Sequence, residues 1–121
     1  MPTAAGHTSA IRASRVLGTD VKDSAGNIIG KIEDVVLDKT DNAIMFAVVG
    51  FGGVLGIGEK FHPLPWSVLD FDEEQMAYVV PYTLDELKAA PSDTINELTR
   101  DDGAGVRDKA YDYYDVPKYW N

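Results

Sequence analysis

The sequence contains no cysteine in its 121 residues. Disulfides, thiolate metal sites and cysteine nucleophiles are therefore excluded. Basic charge is also scarce, with eleven Lys and Arg against twenty Asp and Glu and a formal net charge of −9. That field repels nucleic-acid phosphates and anionic headgroups at range, so the expected partners do not include nucleic acid. No stretch approaches the roughly 18 apolar residues of a membrane span. The opening residues lack the basic start and apolar run of a secretory signal, and the expected location is cytoplasmic. Histidine occurs only as His7 and His62, a poor transition-metal constellation without cysteine. Neither histidine sits in a recognisable catalytic triad motif.

What is present is an ordinary globular composition, 45% apolar and 26% charged, enough for one domain with a modest core. Residues 1–13 are small and polar and read as a tail, 14–90 as the main domain, and 91–121 as an extension packing on it or on a partner subunit.

The chain turns on Gly50 to Asp70, a glycine-punctuated loop feeding a proline-broken apolar strand that contains Trp66. Upstream, Val16 to Val21 reads as a short strand, Asp23–Asn27 as turn chemistry and Ile28 to Asp38 as the second arm of a hairpin. Ile28, Gly30 and Ile32 share one parity, whereas Val35 and Leu37 take the other. A phase change across Glu33–Asp34 predicts a bulge or bend there, with two separate strands as the alternative. After a turn at Lys39–Asn42, Ala43 to Val49 is apolar on both parities, so both of its faces need cover. The candidates for the second face are the C-terminal segment and a second copy of the chain.

Phe61 to Leu69 reads as the next strand. Pro63 and Pro65 deprive one side of donors, which places it at an edge or corner. Asp70–Glu74 reads as an acidic turn and Gln75–Val80 as the closing strand. Thr83 and Glu86 have the spacing of a capping box, opening a helix from Leu84 to Ala90 that Pro91 stops. Another helical turn is expected around Ile95 and Leu98. Val106, Ala110, Tyr113 and Tyr114 then share one helical face, packing two tyrosines inward, and Trp120 is expected to be docked.

Between Arg15 and Leu87 the residues resemble the PRC-barrel domain family. The resemblance rests on Gly26-Asn27-Ile28-Ile29-Gly30-Lys31-Ile32-Glu33-Asp34-Val35-Val36-Leu37-Asp38, the Gly50–Gly58 loop and Pro63-Leu64-Pro65-Trp66-Ser67. The ending Tyr113-Tyr114-Asp115-Val116-Pro117-Lys118-Tyr119-Trp120 is similar to that of bacterial stand-alone members. Related domains occur in the cytoplasmic part of the photosynthetic reaction-centre H subunit and in a ribosome maturation factor. The resemblance implies an all-β fold, a small barrel of five to six strands with a short C-terminal helical extension, serving as an interaction platform. The family shares no catalytic residue set, so none is carried over.

Rival chemistries fail on residues. A phosphate-binding loop needs Gly-Lys-Ser/Thr, but Gly58 is followed by Glu59-Lys60-Phe61. A calcium loop counted from Asp70 needs glycine and glutamate where Gln75 and Pro81 stand. The aromatics could stack single-stranded bases, but such platforms pair aromatics with positive charge. The expectation is a non-catalytic protein–protein interaction module without cofactor or metal, a homodimer whose further protein partner the residues do not name. Its surface would comprise Phe51, Val54, Leu55, Ile57, Trp66, Tyr113, Tyr114, Tyr119 and Trp120. The alternatives are a ligand- or divalent-cation-binding sensor near Glu59, His62 and the acidic turn, and a ribosome-associated adaptor.

Overall fold

The computed structural model describes residues 10–51 and 60–120. Ala13–Val16 forms one helical turn, α1, where strand was expected from Val16. Gly18 ends it at φ +83°, and its N–H donates to the Ile32 carbonyl at 2.7 Å. The first strand, β1 (Asp20–Lys22), therefore begins late. Asp23 closes the following turn by accepting from the backbone N–H groups of Ala25 and Asn27 at 3.0 and 2.9 Å.

β2 (Ile28–Asp38) pairs antiparallel with both β1 and β3 (Ala43–Phe51). Its register against β3 slips between Ile32 and Asp34, where the apolar phase changes in the sequence. Further slips occur at Val36/Leu37 and, on the β1 side, at Val21/Lys22. These bulges reassign faces. Ile29 and Ile32 are buried, whereas Ile28 and Leu37 are 62% and 63% exposed. Grouping Ile28 with Ile32 by parity was thus incorrect, because a bulge inverts alternation on either side of it.

β4 (His62–Pro65) pairs with β3 at one end of the sheet, with Pro63 opposite Val48 and Pro65 opposite Phe46. Donor-poor prolines belong on such an outer strand. The strand stops at Pro65, because Trp66–Val68 winds into a 3-10 turn. Asp70–Asp72 is itself a strand, β5, and the turn falls later, at Glu73–Met76, before β6 (Ala77–Val79). β6 pairs antiparallel with β5 and parallel with β1.

The described residues thus form a six-stranded mixed sheet of order β4-β3-β2-β1-β6-β5. Among them the ladder is open, its two outer strands joined by the 3-10 turn. The sheet is nevertheless rolled. One apolar cluster gathers Val21, Ile32, Val49, Leu64 and Tyr78 from five strands, with Phe71 of β5 packed against it. A flat sheet could not bring its first and last strands around a single core. Helices accompany the sheet, so the fold is not purely β.

Thr83 opens α2 (Leu84–Lys88) with both halves of the capping box, Glu86 N–H to Thr83 Oγ1 at 3.2 Å and Thr83 N–H to Glu86 Oε1 at 2.9 Å. Past Pro91, α3 (Ile95–Leu98), a 3-10 turn (Arg100–Gly103) and α4 (Ala104–Tyr114) cross the outer face of β3. There Met45, Phe46, Val48 and Leu98 form a second buried cluster. The doubly apolar strand is thus covered within the chain. The tyrosines facing inward from α4 are Tyr111 and Tyr114, while Tyr113 is 40% exposed. The Tyr111 hydroxyl donates to the Met45 carbonyl at 2.8 Å, which sets the rotation of the helix about its axis.

Candidate interaction surface

The residues expected to form a surface divide into four groups, the last of them Trp66 alone. Phe51 is half-buried with its ring 4.9 Å from that of His62. Val54, Leu55 and Ile57 lie outside the described residues. The tail aromatics are engaged within the chain: Tyr114 is buried with its ring 5.0 Å from Tyr82, and the Tyr113 hydroxyl donates to the Glu86 carbonyl at 2.6 Å. Trp120 is half-buried, its ring 3.8 Å from the Arg107 guanidinium and edge-on to Tyr111 at 4.6 Å.

Tyr119 completes this strap. Its hydroxyl donates to Asp38 Oδ2 at 2.7 Å, and Arg107 Nη1 lies 3.6 Å from the same oxygen. Asp38, only 7% exposed at the end of β2, also accepts from the backbone N–H groups of Thr40 and Asp41. The Tyr119 hydroxyl, those two N–H groups and Arg107 hold its carboxyl below the usual carboxylate range. Burial and the adjacent Asp38 charge push the Tyr119 phenol up, so it remains a donor.

His62 does not present a ligand face. It is 8% exposed, and burial pushes its imidazole below the ordinary histidine range against a weaker opposing hydrogen bond to the Pro91 backbone. Glu59 lies outside the described residues. In the acidic stretch, Asp72 already accepts from the N–H groups of Glu74 and Gln75 and from Gln75 Nε2. Among the described residues, no three His, Asp or Glu side chains are grouped to hold a metal ion.

A different feature faces outward. A groove of about 770 Å³ runs between the residues leading into α1 and the β5–β6 pair. Ile11, Arg12 and Arg15 line one wall, and Phe71 and Met76 the other. Trp66, Leu69 and Tyr78 form the floor, where Tyr78 meets Trp66 at 5.6 Å and Phe71 at 5.1 Å between ring centroids. Of the expected surface residues that are described, Trp66 alone lies in this groove. Sequence reading missed the rest for identifiable reasons. Arg12 falls in the small, polar stretch that reads as a tail, and Met76 in the apolar stretch that reads as a strand. The i, i+3 spacing of Arg12 and Arg15 was the available signal, since it sets both on one face of a helical turn.

The family model for the PRC-barrel domain matches residues 9–87, and the chain belongs to that family. The match spans the rolled sheet and the groove and ends within α2; α3, α4 and the aromatic strap lie beyond it. Among curated proteins, none matches the chain. At the level of the family, the domain points to a protein-interaction module. No helix among the described residues is long and apolar enough to cross a membrane.

Proposed function

We propose that the chain is a non-catalytic protein–protein interaction module that works as a cytoplasmic homodimer. The observation carrying this reading is the apolar surface that remains after folding. Met76 is 56%, Ile11 46% and Leu17 43% exposed, and Ile28 and Leu37 are more exposed still. Large apolar side chains standing together on a small domain mark a face that another protein covers. Ile11 and Met76 do stand together, on the two walls of the aromatic-floored groove.

The strapping of Tyr114, Tyr119 and Trp120 against the chain moves the expected surface away from the tail and toward that groove. Of the ionisable groups with shifted pKa values, Asp23 and Asp72 hold turns and Asp38 and Tyr119 hold the strap, structural duties that support a role without chemistry. Sedimentation equilibrium tests the reading. The expected mass is twice the 13.2 kDa of one chain at micromolar concentration. A single-chain mass up to hundreds of micromolar would overturn the homodimer.

A further inference from the structure

We propose that the groove between the Ile11–Arg15 segment and the β5–β6 turn receives a second copy of this chain across a two-fold axis, the arginine wall of each protomer meeting the acidic wall of the other. This rests on the homodimer reading and adds to it the face and the pairing.

Charge supports the pairing first. Of the four arginines, Arg100 is bonded to Glu97 at 2.7 Å, and Arg107 lies against Trp120 and Asp38. The other two, Arg12 and Arg15, both stand on this wall, and no described carboxylate forms an ion pair with either. The opposite wall continues into a hollow lined by Asp70, Asp72 and Glu74. A uniformly acidic partner would be repelled by that wall, and a uniformly basic one by the arginines. The fitting occupant carries both signs in the reverse order. A copy related by a two-fold axis meets that condition, because an isologous contact sets each patch against itself reversed.

Apolar residues repeat the pattern. Ile11 belongs to the arginine wall and Met76 to the acidic one, so the same operation lays the Ile11 of each protomer against the Met76 of the other. Met76 also sits at φ +52°, in the left-handed region that disfavours a side chain of its size. The turn itself would be served better by glycine or asparagine. An exposed methionine held there has the adaptable apolar surface of a contact residue.

Two double variants test the pairing by analytical ultracentrifugation, with circular dichroism confirming that each is folded. Arg12→Glu with Arg15→Glu, and separately Asp70→Lys with Glu74→Lys, are each expected to weaken self-association by about ten-fold or more. Mixed in equal amounts, the two are expected to form a heterodimer. Lack of cysteine permits a second measurement on nearly native chains: Ile11→Cys mixed with Met76→Cys should give a disulfide-linked dimer under mild oxidation. If the wild type is a dimer but both charge variants associate as tightly as it does, this face is wrong and the homodimer reading stands. If both variants are monomeric and the mixture stays monomeric, the two-fold pairing is overturned. A monomeric wild type overturns both.

Discussion

Gly30 and His62 illustrate how a single position constrains this fold. A Cβ on Gly30 would collide with the Gly50 carbonyl oxygen and come within 2.9 Å of the Phe51 ring. The backbones of β2 and β3 meet there without room for a methyl group. Gly30→Ala should therefore destabilise by on the order of 3 kcal/mol, the upper end of typical overpacking, read as a lowered urea midpoint with an unchanged slope. An unchanged midpoint would show that the close approach relaxes freely. His62 contributes through protonation. Burial lowers its pKa in the native state, so below about pH 6.5 the unfolded chain takes up the proton first. Stability from this group is present above that pH and declines as the pH falls through it. A His62→Gln variant should lack that decline when its melting temperature is followed from pH 7.5 to 5.

The β3 strand shows why an apolar run on both parities needs two layers. Its inner face joins the rolled core and its outer face, with Phe46 and Val48, lies under α3 and α4. Truncation after Ala90 removes that cover. The shortened chain should bind an apolar dye and lose solubility, and a truncated protein as soluble and dye-inert as the full chain would contradict this. A gentler change is Leu98→Ala, at a position that is 0% exposed, which should cost about 2–5 kcal/mol. Three features were legible in outline: the capping box at Thr83, the proline edge of β4 and the bulge after Ile32 all followed from residue chemistry. The rotation of α4 was not. Tyr113 and Tyr114 both fit the apolar stripe, and Tyr111 displaced Tyr113 through a hydrogen bond to a carbonyl 66 residues away in sequence.

Across the whole molecule, acid should act on one sign of linkage. Asp23, Asp38 and Asp72 all have lowered pKa values, held chiefly by the Asn27 backbone N–H, the Tyr119 hydroxyl and the Gln75 side chain respectively. Their contributions are present above the unfolded carboxylate pKa of about 4 and lost as pH falls through the lower native values. Melting temperature should drop steeply below about pH 4; a flat profile down to pH 2.5 would refute it. The residues alone determined β2 and β3, the edge, the bulge after Ile32, the capped helix and the acidic surface, because each follows from local sterics, apolar patterning, donor supply or net charge. Only the tertiary structure decided which segment covers β3, where Asp38 finds its tyrosine, and that Arg12, Trp66 and Met76 share one groove. Those are meetings between distant parts of the chain, and no local pattern encodes the roll that brings them together.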